Sequence, residues 1–232
     1  MFAALQRTGA GLRRDFGEVE QLQQSLPGAR DFVAKAAARI EDMVLSDLTL
    51  VRPAAGVLTP NASREGDGVS EFILAFSGAA NFVRGNPHFA VSLALRVGGE
   101  TRAGLIYSPI DDRLYYAEKD SGAFIFSAYH SAKVRVSKLK EPHDLTIGFD
   151  SSATLATHHS PLTTNHSPFT ARITGCPALD LAWVASGKFD AFVSEPLDYA
   201  EIAAGELMVL EAAGKMYEDD GKIFATNGLA EV

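Results

Sequence analysis

Ala80-Asn81-Phe82-Val83-Arg84-Gly85-Asn86-Pro87-His88-Phe89-Ala90-Val91-Ser92 is the stretch from which this chain is most directly read. It follows Phe72-Ile73-Leu74-Ala75-Phe76 and Ser77-Gly78-Ala79, a short apolar run entering small residues, which predicts a buried strand ending in a tight turn. Further on, residues 88–97 and 102–107 flank Gly98-Gly99 as a hairpin, and 114–117 and 123–126 add strands, so the middle predicts a mostly antiparallel sheet. Before it come two helices. Residues 2–20 form the first, Leu26-Pro27-Gly28-Ala29 is read as a break, and Asp31 as the N-cap of the second, which carries Ala36, Ile40, Met43 and Val44 at helical spacing. In the last third Leu179, Ala182, Trp183 and Ser186 share a helical face that stops at Gly187, and 189–193 follow as a strand. Residues 201–213 predict another helix, with short strands at 215–217 and 223–226.

The composition bounds the function. With 232 residues, 47% of them hydrophobic, the chain holds enough apolar material for a large core, which excludes disorder and suits one domain over 1–232 with approximate lobes 1–148 and 149–232. A net charge of -8 repels phosphate backbones and anionic lipid, which argues against general nucleic-acid binding and a membrane-surface role. Cys176 is the single cysteine and cannot form an internal disulfide, and the start Met1-Phe-Ala-Ala-Leu-Gln-Arg7 lacks a signal-peptide pattern. A cytoplasmic location is the expectation.

The 80–92 run resembles the inositol monophosphatase family. Further landmarks stand in family order: Ala103-Gly104-Leu105-Ile106-Tyr107-Ser108-Pro109, Ala117-Glu118-Lys119, Gly122-Ala123-Phe124, Ala178-Leu179-Asp180-Leu181-Ala182, Gly187-Lys188-Phe189-Asp190, Ala203-Ala204-Gly205 and Glu211-Ala212-Ala213-Gly214. Arg14-Asp15-Phe16-Gly17-Glu18 and Asp31-Phe32-Val33 are similar to bacterial members. The resemblance implies an α+β to α/β fold, a layered α-β-α-β-α sandwich with mixed, largely antiparallel sheets. It also implies a homodimer and hydrolysis of phosphate monoesters at Mg2+ ions bridged by carboxylates.

Against that pattern the sequence departs at the metal. The family's Gly-Glu-Glu turn falls on Thr59-Pro60-Asn61, and the two aspartates of its Asp-Pro-Ile/Leu-Asp-Gly-Thr loop fall on Leu74 and Ser77. The loop's proline falls on Ala75 and its threonine on Ala79, while Gly78 remains. The late Trp-Asp falls on Ala200-Glu201, the glutamate that contacts substrate hydroxyls on Ser194, and the acidic position closing the early motif on Ala37. Mg2+ is normally held by one or two carboxylates plus phosphate oxygens, and Leu, Ala and Pro offer no such side-chain ligand, so Mg2+ is expected not to bind.

Other groups are weaker signals. His158, His159 and His166 lie in a polar stretch read as a solvated loop, and Asp111-Asp112 and Asp219-Asp220-Gly221 as turns. Cys176 reads as a small buried residue. Gly78, Ala79, Ala80 and Asn81 are a candidate remnant of a phosphate cradle. The expectation drawn from all this is a non-catalytic member of the fold acting through a protein partner or self-pairing, with vestigial Thr59, Pro60, Asn61, Leu74, Ser77, Ala79 and Glu201. Two alternatives stand beside it. One is a weak Mg2+-dependent phosphatase of inositol or sugar phosphates built on Glu201. The other is a metal-independent sensor of a phosphorylated metabolite using Ser77 and Asn81 as donors.

Overall fold

The computed structural model describes residues 1–22, 26–127, 130–157 and 169–230. Helices α1 (Phe2–Leu22) and α2 (Leu26–Val51) come first. Leu26-Pro27 opens α2 rather than breaking the chain, and Asp31 lies inside that helix rather than at its cap. The physical reason is that proline's fixed φ suits a first helical turn, where the missing N–H has no partner to lose.

Among the described residues, eight strands form the first sheet: β1 (Gly56–Thr59), β2 (Ala62–Arg64), β3 (Ser70–Ser77), β4 (Ala90–Val97), β5 (Glu100–Ser108), β6 (Arg113–Glu118), β7 (Gly122–Ser127) and β8 (His130–Val134). Their order is β2-β1-β3-β4-β5-β6-β7-β8, antiparallel except for the β1/β3 pair. Alternation sorts β3 cleanly. Phe72 and Leu74 enter the core under α1 and α2, whereas Ile73 and Ala75 enter a second core on the opposite face. The short helix α3 (Ala79–Val83) follows β3 directly.

The second sheet holds β9 (Thr146–Phe149), β10 (Thr170–Ile173), β11 (Ala191–Ser194), β12 (Lys215–Asp219) and β13 (Lys222–Thr226), ordered β10-β9-β11-β13-β12. The lobe boundary drawn at 148 therefore cuts through β9. Between the sheets lie α5 (Pro177–Ala185) and α6 (Tyr199–Glu211), whose core includes Ile106 of the first sheet and Phe192 and Ala225 of the second. Beyond the second sheet Leu155 of α4 (Ser152–Thr157) packs against the small core that includes Ile147, Phe149 and Val193. The layers run α-β-α-β-α, as the resemblance implies. Gly104 of β5 lets α6 come this close, because a Cβ there would stand 2.8 Å from the Ala204 carbonyl oxygen. Two elements, α4 and β10, lie in the 150–172 segment, which by sequence reads as irregular. The strand forms because the edge of β9 offers it a parallel partner, a contact no local pattern carries.

Candidate active site

Strands β10, β9 and β11 run parallel, so the connections leaving β10 and β11 emerge at one edge, where α5 and α6 begin. Ligand sites of open α/β sheets form at such edges. The end of β3 reaches the same region: the Ser77 hydroxyl accepts the Ala178 N–H at 3.3 Å, and the Cys176 thiol donates to it at 3.6 Å. One of the first-turn amides of α5, which have no partner within the helix, is thereby satisfied from another layer.

Asp198 caps α6, its carboxylate accepting the Ala200 N–H at 2.8 Å. Glu201 follows in the first turn, half-buried, and its carboxyl is pushed above the usual range by burial first and by the charge of Asp198 second. Cys176 is fully buried, and burial pushes its thiol up to about 12. It is therefore a packing residue rather than a nucleophile. Native protein at pH 8 is expected to resist alkylation by iodoacetamide, with stoichiometric labelling only after unfolding; rapid native labelling would contradict this burial.

The remaining sequence candidates do not converge on one point. Leu74 is 1% exposed within the core under α1 and α2, on the face of β3 opposite to the α5 layer. Thr59 lies one step beyond the last paired residues of the β1/β3 ladder, Leu58 and Ile73, and so falls level with Leu74. Its hydroxyl accepts the Ala62 N–H at 3.1 Å, closing the β1–β2 turn in which Pro60 and Asn61 are exposed. Thr59 also lines a cavity of about 260 Å³ with Glu41 and Asp42 of α2. Ala79 and Ala80 are exposed methyls at the start of α3.

Asn81 corrects an expectation. Its side-chain amide donates to the carbonyls of His88 and Thr174, both at 2.7 Å, and its Oδ1 accepts from Asn86 at 3.3 Å. The backbone N–H groups of Asn81 and Phe82 are both taken by the Gly78 carbonyl. Gly78 itself sits at φ +83° with a Cβ position 2.8 Å from the His88 carbonyl oxygen, so glycine is required there. Of the two side chains expected to donate to a phosphorylated ligand, Asn81 thus commits its amide to protein carbonyls, while Ser77 is fully buried with its oxygen accepting from the start of α5.

Ser194 ends β11, fully buried, with no partner for its hydroxyl among the described residues. Beside it in register comes Asp150, whose N–H reaches the Val193 carbonyl at 3.2 Å and whose Oδ1 is likewise buried and unpaired among the described residues. The sequence reading passed over Asp150, although a lone acid directly after a strand was the available signal. It gave no role to Asp180, quoted only within a landmark; fully buried on α5, this residue accepts the Thr174 hydroxyl at 2.6 Å and lies 3.7 Å from His88 Nε2. Burial pushes that carboxyl above its usual range, with the nearby His88 and the hydrogen bond from Thr174 opposing the shift. A charge between Leu179 and Leu181 on an apolar helix was its sequence signal. His158, His159 and His166 lie outside the described residues.

Mg2+ can be tested against these donors. Leu74, Ala79 and Ala200 carry no side-chain oxygen, Ser77 faces away from Leu74 and is bonded within the protein, and one oxygen of Asp198 holds the α6 cap. Among the described residues no three His, Cys, Asp or Glu side chains gather in a group that could hold an ion. The residues present do not fit the magnesium centre that the resemblance implies.

Comparison with known proteins places the whole chain. The model of the inositol monophosphatase family matches residues 2–231. The inositol-1-monophosphatase of Mesorhizobium japonicum is 36% identical over 229 residues, covering 95% of this chain and 85% of that protein. That of Caulobacter vibrioides is 35% identical over 225 residues, covering 93% and 87%. The crystal structure of the extragenic suppressor protein suhB from Bartonella henselae superposes with a TM-score of 0.83 at 32% identity, covering 98% of this chain and 92% of that one. Likeness that runs from α1 to β13, in sequence as well as in layer order, is likeness of descent: the chain belongs to the inositol monophosphatase family.

Proposed function

We propose that this chain hydrolyses phosphate monoesters of inositol or a related sugar alcohol. The observation that carries the reading is its identity of 36% and 35%, over 95% and 93% of its length, to proteins named inositol-1-monophosphatase. The same observation overturns the expectation of a non-catalytic binding role. That expectation counted vacated metal ligands, and such a count speaks to how a cation is held, not to whether an ester is cleaved; a half-buried carboxyl still stands at the start of α6.

Glu201 is the residue assigned to the chemistry. In hydrolysis the water oxygen bonds to phosphorus as the bond from phosphorus to the ester oxygen breaks, and the leaving alkoxide needs a proton. A carboxyl that burial keeps protonated to higher pH is suited to supply it, and the carboxylate then recovers a proton from the attacking water. General acid catalysis alone contributes about 10²–10⁴-fold, far less than acid and metal together, so turnover is expected to be slow. The test is phosphate release from a panel of inositol and sugar monophosphates against phenyl phosphate. Release above the enzyme-free rate, highest on the polyol esters, is the expected result. No release from any ester would overturn the reading.

A further inference from the structure

We infer that the junction at the end of β3, where the resemblance puts a divalent cation, is held by Ser77 bonding to α5 and works without one. The inference stands apart from the phosphatase reading, since it concerns what holds the site together rather than what the site cleaves.

Three observations carry it. First, the two positions that would have to share an ion diverge: Leu74 enters the core under α1 and α2, and Ser77 turns to the opposite layer. An ion can reach both only if the last turn of β3 is re-formed, yet that strand is paired with β4 along its whole length, from Ser70↔Val97 to Ser77↔Ala90. Second, the Ser77 oxygen already has two donors, the Ala178 N–H and the Cys176 thiol, and is 0% exposed. Coordinating a cation would remove the Ala178 bond and leave a helix-start amide unsatisfied in the interior, which is costly. Third, the neighbouring loop is closed by protein groups alone: Asn81 clamps the carbonyls of His88 and Thr174, and through Thr174 it reaches Asp180. Each of these named straps is a hydrogen bond between protein groups.

In a carboxylate-lined centre the apo site suffers mutual repulsion that a cation relieves, so the native state is stabilised by binding it. At the end of β3 the two positions are Leu74 and Ser77, which bring no charge to repel. The position of the ion has become a contact between layers.

The experiment uses the full chain and two probes, Mg2+ and Mn2+. Melting is followed in chelator and in about 10 mM MgCl2, where the expected shift is below about 1 °C, because a ligand raises the melting point only by binding the native state. Titration with Mn2+ followed by electron paramagnetic resonance is expected to leave the free-ion signal undiminished. Ser77→Ala is expected to lower the melting temperature by about 2–4 °C, equally in both buffers, since it removes an acceptor from a buried N–H. An upward shift with Mg2+, stoichiometric loss of the Mn2+ signal, or a Ser77→Ala effect confined to the Mg2+ buffer would each overturn the inference. Absence of turnover in either buffer would defeat the phosphatase reading alone, and the melting and resonance measurements would still decide this one.

Discussion

Leu74→Asp is expected to destabilise the protein by about 4 kcal/mol or more, enough to leave it largely unfolded at 37 °C, and Mg2+ is expected not to rescue it. The substitution places a carboxylate where the resemblance expects one, so intuition from motifs alone favours a gain of metal binding. The packing says the opposite. Leu74 is 1% exposed and shares its core with Leu5, Leu12, Phe82, Phe89 and Leu93. An isolated carboxylate in such surroundings either pays its desolvation or takes up a proton, and in both cases the leucine's burial is lost with it. Leu74→Met, nearly volume-conserving, is expected to cost less than about 1.5 kcal/mol and serves as the control. Urea unfolding with and without Mg2+ measures both. A folded Leu74→Asp variant whose midpoint rises with Mg2+ would show that the end of β3 re-forms around an ion.

Glu201→Gln is the second large effect, and it separates activity from stability. Turnover on inositol phosphate is expected to fall about 10²-fold or more, because glutamine keeps the shape and loses the transferable proton. Stability is expected to move the other way. The folded Glu201 carboxyl is raised above its unfolded value by burial and by Asp198, so the native state binds this proton more tightly than the unfolded chain does. Below the unfolded value both states are protonated and the group makes no difference. As pH climbs through the raised folded value, the buried charge increasingly disfavours the native state. Glu201→Gln is therefore expected to raise the melting temperature by about 1–2 °C at neutral pH and by nothing near pH 4, modest because the side chain is half-exposed. Wild-type turnover is expected to decline as pH rises through the same titration. Equal activity in wild type and Glu201→Gln across that range would remove Glu201 from the reaction.

Much of the fold was legible residue by residue. The apolar run Phe72-Ile73-Leu74-Ala75-Phe76 predicts the buried strand, Gly98-Gly99 predicts the hairpin, and Gly214 stands three residues past the observed end of α6. Proline misled at Leu26-Pro27, since the same residue that ends one helix opens another, and only the following turns distinguish the two uses. The site was half legible. Which residue types had left the metal positions could be read directly, as could the surviving acid at Glu201. The roles of Ser77 and Asn81 could not, because a serine or an asparagine in a turn looks the same whether it waits for a ligand or holds two loops together. Asp150 was visible as a letter without a motif and Asp180 only as part of a landmark with no role attached, and their importance comes from burial.

The sequence by itself determined the family, the central run of strands and the last two long helices, and the shortage of hard oxygen donors. These follow from local periodicity, turn chemistry and residue type, which neighbours along the chain suffice to specify. Only the tertiary structure decided that Leu74 and Ser77 face opposite layers and that Ser77 meets Ala178, 101 positions away. It also decided that Asn81 spends its amide on His88 and Thr174. Contacts of that kind arise where layers meet, and a side chain's partner across a layer is set by packing rather than by its place in the chain.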